Sequence, residues 1–284
     1  MPAELLLTRL EDFSGHVVAA MTTAAAHRGG EYLNGDGGDL GGGVSATLVV
    51  RHAAHHLAVL QIAQAMGVAP ADLLDVGCGT GAAASTLAEW MGARLHLCDQ
   101  DPAPLAVAQR AFAPASATVD LADAPDADVV TSMDVVEHVA VQAQDDFVAA
   151  LAGKVRPGGL LALATPDESS YPGGWSGYRP HIACLSPVQL QRLLSRATGR
   201  PATVLRLAGG PFRPHRGRQA WERAANAVWG TLSARTPDAA AALARLRTGS
   251  VPSAAAVREC AHEPVVAVAP FRTRSTGLLG IVQL

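Results

Sequence analysis

Leu73-Leu74-Asp75-Val76-Gly77-Cys78-Gly79-Thr80-Gly81 is the stretch that decides how the rest of this chain is read. A short apolar run ends in three glycines at alternate positions, and an alanine-rich segment with helical spacing, Ala82 to Trp90, follows at once. The pattern predicts a strand, a tight turn and a helix. Glycines permit the backbone angles of such a turn and let a ligand approach the main chain, while the helix N-terminus offers free N–H groups. The turn therefore suits a nucleotide-like ligand. Its order, Gly77-x-Gly79-x-Gly81 with Asp75 ahead, differs from the dinucleotide fingerprint G-x-G-x-x-G.

The next strand supports this. Arg94-Leu95-His96-Leu97-Cys98-Asp99 is a second short apolar run ending in an acid, 24 positions beyond Asp75. A doubly wound fold places its ribose-binding carboxylate at about that point, where Asp99 would accept hydrogen bonds from both ribose hydroxyls, with Gln100 beside it in the same cleft. Further on, Ala117 to Val119 reads as a third strand ending at Asp120-Leu121, and Ala127 to Met133 as a fourth. Asp134 to Val139 opens a turn or helix, Val155 to Gly159 is a turn, and Leu160 to Thr165 is a fifth strand. Ala202 to Leu207 and Gly277 to Leu284 complete the set, with Val265 to Ala269 a further strand or an extended segment. Alternating strands and helices predict an α/β fold: a doubly wound, Rossmann-like, seven-stranded, mostly parallel sheet with helices on both faces. Ligands bind outside the carboxyl ends of such strands.

Residues 1–66 read as an N-terminal helical cap with a glycine-rich lid, and residues 67–284 as the core, with a helical insertion at about 211–262 before the last strand. The cap holds a helix over residues 3–27, then Gly29 to Gly43 with eight glycines and two aspartates, read as a linker or a lid that orders over a ligand. A second helix, Val44 to Met66, carries Arg51, His52, His55 and His56. The histidines share one face, which reads as a ligand set or as a solvated or partly packed face. Residues 211 to 218 (PFRPHRGR) are an anion-gripping loop or solvated surface, and Trp221, Ala225, Val228 and Trp229 form an apolar stripe read as packing.

Composition narrows the function. With 284 residues and 49% hydrophobic content the chain can bury a full core. A net charge of −3 and a pI near 6.3 supply no basic field for nucleic acid or an anionic membrane, so a small-molecule substrate is expected. Four scattered cysteines without C-x-x-C spacing argue for a reducing compartment. Acids and an arginine among the first leucines are unlike a secretion signal, and no apolar run is long enough to span a bilayer. A soluble cytoplasmic protein is the expectation, and a homodimer is compatible with it.

The Gly77-x-Gly79-x-Gly81 spacing resembles motif I of the class I S-adenosylmethionine (SAM) methyltransferases. Asp75 to Gly81, Thr131 to Val139 and Val155 to Pro166 (VRPGGLLALATP) together resemble the ubiquinone-biosynthesis O-methyltransferase branch, over residues 70 to 200. The resemblance implies SAM as cofactor, with Asp75, Gly77, Gly79, Gly81, Asp99, Gln100, Asp120, Leu121 and Met133 forming its cleft. Arg51, on the helix leading into motif I, would meet the cofactor's carboxylate. In that branch, and in the plant-type small-RNA 2′-O-methyltransferases, the segment after the fourth strand reads E-x-x-E-H and joins a downstream histidine in a divalent-metal site. This chain has Asp134-x-x-Glu137-His138 and, downstream, His181; the first residue departs from the pattern with an arm one methylene shorter.

If the segment is helical, Asp134, Glu137 and His138 share a face, and with His181 could hold magnesium, manganese, iron or zinc. Such a cation chelates neighbouring hydroxyls and acidifies one of them. Phenols titrate near 10, so about one in a thousand is ionised at neutral pH. A metal, or His138 as a general base with Glu137 and His181 beside it, would correct that; a packing role for Glu137 and His138 is the third reading. Methyl transfer to a phenol or catechol hydroxyl is the first functional reading. Methylation of an RNA terminal ribose and a SAM-binding protein of another or sensing role are the alternatives.

Overall fold

The structure, a computed structural model, describes residues 3–27, 45–236, 251–262, 265–268 and 274–284. The glycine-rich stretch Gly29 to Gly43, and the side chains of Arg218 and Trp229, lie outside the described residues.

The strands are β1 (Asp72–Val76), β2 (Arg94–Cys98), β3 (Ser116–Thr118), β4 (Ala127–Met133), β5 (Val155–Pro166), β6 (Thr203–Ala208), β7 (Val266–Val268) and β8 (Gly277–Gln283). They form one sheet in the order β3-β2-β1-β4-β5-β8-β6-β7. The first five are parallel to their neighbours, and β8 inserts antiparallel between β5 and β6. Seven strands were expected; the eighth is β7, a three-residue edge strand antiparallel to β6. The expected turn at Val155 to Gly159 is drawn into β5 as an irregularity, where pairing with β4 jumps from Ala127↔Val155 to Val129↔Leu160.

Both faces are covered. On one lie α1 (Ala3–Ala26), α2 (Ala46–Ala65), α3 (Ala82–Met91), α4 (Pro102–Phe112) and α8 (Ala254–Ala261), sharing a core that includes Phe13, Val50, Leu87, Leu97 and Leu279. On the other, α5 (Gln144–Ala152) and α6 (Pro187–Thr198) pack Val148, Leu151, Leu190 and Leu194 against Leu161 and Leu163. The helix starts are written locally: Ser45 and Asp101 cap α2 and α4, and Ser186 with Gln189 forms a capping box ahead of α6. The remaining helix, α7 (Arg216–Arg235), lies beside the loop after β5, where Gln219 donates to Ser170 and Asn226 to the Ser176 carbonyl. Its apolar stripe does not pack as expected: Trp221 and Val228 are 68% and 69% exposed.

At the opposite end of the sheet from the site, Asp72 ties strands together. Its carboxylate, 1% exposed, meets Arg94 at 2.8 Å, Arg156 at 2.7 Å and His96 Nε2 at 2.9 Å. Asp128 accepts the Ala71 and Asp72 N–H groups and joins Arg156, so this acid also ties the strands together. The arginine pairing outweighs burial and holds Asp72 far below the ordinary carboxylate range. Asp72→Ala is expected to cost about 3 kcal/mol in a denaturant titration, the low end for breaking a buried pair, because the exposed arms of Arg94 and Arg156 can return to water.

Candidate active site

The turn after β1 is built as its glycines demand. Gly77, Gly79 and Gly81 have φ of +76°, +54° and +72°, in the left-handed region that other residues rarely adopt. A Cβ on Gly77 would fall 2.3 Å from Val135 Cγ2, and one on Gly81 would crowd Leu97 and Ala108. Gly81 starts α3 without a side chain to cap it, so the cap residue leaves the first N–H groups of that helix to other acceptors. Asp99 closes the turn from β2: its Oδ2 accepts the Gly79 N–H at 2.7 Å and its Oδ1 the Asp101 N–H at 2.9 Å. A carboxylate has about four acceptor positions, so two remain for hydroxyls. Met133 is buried at the end of β4, Leu121 is half-buried, and Gln100 and Asp120 are exposed, with Asp120 Oδ1 accepting the Ala122 N–H. This donor and acceptor set fits a nucleoside carrying a ribose diol.

Asp75 is a different kind of group. It is 5% exposed, accepts a 2.6 Å hydrogen bond from Thr131 Oγ1, and sits opposite that residue in the β1–β4 register. Burial drives its carboxyl up to about 7 against the pull of Thr131, and the Asp99 charge adds to the rise. It supports the turn from below.

The segment after β4, read as a turn or a helix, is not an α-helix. Asp134 has φ of +57° and the following Val136–His138 is a single 3-10 turn, so Asp134, Glu137 and His138 do not share a helix face. Asp134 turns instead toward α2, where Oδ2 lies 3.5 Å from His52 Nε2 and Oδ1 is buried without a hydrogen bond. Although burial opposes it, the neighbouring His52 and Arg51 hold Asp134 below its ordinary value. The other two α2 histidines are packed and not solvated: His55 and His56 are 0% and 2% exposed, and burial lowers them to about 3 and about 4. Arg51 donates to the Thr276 carbonyl at 2.8 Å and lies 5.7 Å over the Phe212 ring, so a protein carbonyl already engages the guanidinium expected at the cofactor.

Glu137, His138 and His181 do come together. One ligand atom from each lies within 4.8 Å of the others, and Asp134 is not among them. Thr165 donates to Glu137 Oε2 at 2.9 Å, and the Glu137 carbonyl accepts from Ile182 and Ala183, drawing the loop that carries His181 back over the turn after β4. His138 Nδ1 lies 2.9 Å from the Pro180 carbonyl, which can only accept. The proton therefore sits on Nδ1, and the neutral ring keeps its basic lone pair on Nε2. His181 stacks edge-on to His138 and Tyr178, at centroid distances of 5.2 Å and 4.7 Å. Tyr178, on the loop after β5, reaches His181, and Trp175 of the same loop is 42% exposed and donates its ring N–H to the Tyr178 carbonyl.

Residues 74–163 match the family model described as a methyltransferase domain. The glycine turn, Asp99 and the segment after β4 all lie within the matched residues. No curated protein matches the chain. Among solved structures, a proposed sarcosine dimethylglycine methyltransferase from Galdieria sulphuraria is 15% identical, with 82% of this chain and 87% of that one covered and a TM-score of 0.50. It shows the same α/β fold. An amino pentose methyltransferase from Micromonospora echinaspora, solved with SAM bound, is 30% identical over 38% of this chain, with a TM-score of 0.33; the match spans 50% of that protein's length. Magnesium protoporphyrin IX methyltransferase from Synechocystis, solved with S-adenosylhomocysteine, is 19% identical over 57% of this chain and 79% of that one, with a TM-score of 0.46.

Three contributors escaped the sequence reading: Val135, which forbids a side chain at Gly77; Thr131, which holds Asp75; and Glu168, which binds His181 at 2.5 Å. Glu168 is the second residue beyond β5, after Asp167, and an acid near the carboxyl end of a parallel strand was the signal available for it.

The raised Asp75 carboxyl gives a pH test. Its folded value lies above its unfolded one, so its stabilising share is complete below about pH 4 and is lost as pH rises through about 7. Asp75→Asn keeps an acceptor for Thr131 and has no charge. Between about pH 4 and about pH 8 the wild type is expected to lose up to about 4 kcal/mol relative to this variant, read from urea midpoints.

Proposed function

We propose that the protein transfers a methyl group from SAM to a hydroxyl of a small-molecule phenol or catechol. The observation that carries this reading is the convergence of Glu137, His138 and His181 beyond the ends of β4 and β5, beside the glycine turn after β1, with Asp99 one strand further at the end of β2. SAM supplies the methyl as an electrophilic substituent of a sulfonium. Gly77 to Gly81 and Asp99 bind its nucleoside, with Met133 and Leu121 as apolar walls. His138 Nε2 takes the proton of the acceptor hydroxyl as the oxygen becomes nucleophilic, while Glu137 faces the imidazolium so formed. Tyr178 and Trp175 wall the acceptor side, and positioning supplies much of the rate.

A second reading adds a divalent cation, favoured by the three ligand atoms within 4.8 Å. Glu137, His138 and His181 would hold it as one oxygen and two nitrogens, leaving positions for two vicinal hydroxyls. Asp134 has no part in this set, since it is turned to His52.

The test is S-adenosylhomocysteine release from SAM with catechol and phenol as acceptors, with and without manganese. Turnover is expected, falling about 100-fold or more in His138→Ala. Absence of methylated catechol or phenol under both conditions would overturn the proposal. A catechol-only activity abolished by a chelator and by Glu137→Ala would select the cation reading.

A further inference from the structure

We propose that Glu168 is a positioning residue for His181, a buried carboxylate that holds the ring proton on Nδ1 and leaves the lone pair on Nε2. The inference rests on the reading of Glu137, His138 and His181 as the reacting side.

The geometry is that of a clamped acceptor. Glu168 is 3% exposed, and its Oε1 lies 2.5 Å from His181 Nδ1. Its Oε2 accepts the Ser176 N–H at 2.6 Å, its Oε1 the Ser176 hydroxyl at 2.8 Å, and the Cys184 thiol reaches Oε2 at 3.3 Å. Four donors on two oxygens leave the carboxylate no second orientation. An ionised carboxylate only accepts, so the ring nitrogen that faces it must carry a proton. Glu168, His181 and Cys184 also bring ligand-type atoms within 4.8 Å of one another, but a cation there would have to displace these donors. The cluster therefore works as a hydrogen-bonded collar. Tyr178 and His138 hold the His181 ring edge-on from two sides, so rotation about its last torsion is restricted as well.

The same collar predicts what an amide would do. The Ser176 N–H can only donate, so in Glu168→Gln the amide oxygen must take the Oε2 place, and the NH2 group falls where Oε1 meets His181. A donor at that point moves the imidazole proton to Nε2. An acid-to-amide change beside a catalytic histidine acts in this way in the serine protease triad.

The experiment is two-bond nitrogen–proton NMR on the full chain with ring-15N histidine, saturated with S-adenosylhomocysteine at about pH 8, His181 being assigned by its loss in His181→Gln. The wild type is expected to show His181 in the Nδ1–H form, and Glu168→Gln the Nε2–H form. In parallel, catechol methylation should fall about 10- to 100-fold in kcat, with S-adenosylhomocysteine affinity within about twofold of wild type. A wild-type His181 that is Nε2–H or doubly protonated overturns the inference, and so does an unchanged Nδ1–H form in Glu168→Gln. The wild-type spectrum decides alone if the variant fails to fold. If catechol is not methylated by the wild type, the functional reading fails while the tautomer still judges Glu168.

Discussion

The contact of Val135 with Gly77 sets how closely the ends of β1 and β4 can approach, and the rest of the site follows from it. A methyl of Val135 lies where any side chain on Gly77 would have to stand. The glycine turn that starts α3 and the turn that carries Glu137 and His138 are thereby locked together. Asp134, in the left-handed region, is the hinge of the second turn: it sends its own side chain toward α2 and the next residues toward the loop after β5. A buried, hydrogen-bonded Asp75 beneath the turn completes the joint between the two strands.

Above this joint the carboxyl ends of the strands are bordered by two unlike surfaces. On the α2 side, His55 and His56 are too deeply buried to hold a proton, and the charged groups are Asp134 and the Arg51 held by Thr276. On the side of the loop after β5, the imidazoles of His138 and His181 lie edge-on between the carboxylates of Glu137 and Glu168, each tied to a named partner. The proton transfer we propose falls on the second surface, where the Pro180 carbonyl orients His138 and the Glu168 carboxylate faces His181. The thiol beside them takes no part as a thiolate, since burial and the Glu168 charge push Cys184 up to about 12.

Much of this was legible in the sequence because local rules governed it. Alternating apolar runs gave the parallel strands, and glycines at positive φ announced the turn at Gly77 to Gly81. Glu137, His138 and His181 were found from spacing and resemblance, and they converge. What failed depended on groups distant in sequence. Asp134 to Val139 read as a turn or a helix, and only the helix would put Asp134 on one face with Glu137 and His138; the chain turns sharply at Asp134 instead, and the set that converges lacks it. The edge strand β7 is three residues long, below what a pattern can separate from an extended segment. The role of Glu168 requires knowing that Ser176, His181 and Cys184 fold back on it.

Calorimetric titration with S-adenosylhomocysteine decides whether the Gly77–Gly81 turn and Asp99 form one nucleoside site. One site per chain is expected, weakened about 10-fold or more in Asp99→Ala, since hydrogen bonds to a charged group are lost. A wild type that takes up no S-adenosylhomocysteine, or an Asp99→Ala variant that binds it as tightly as the wild type, would contradict it.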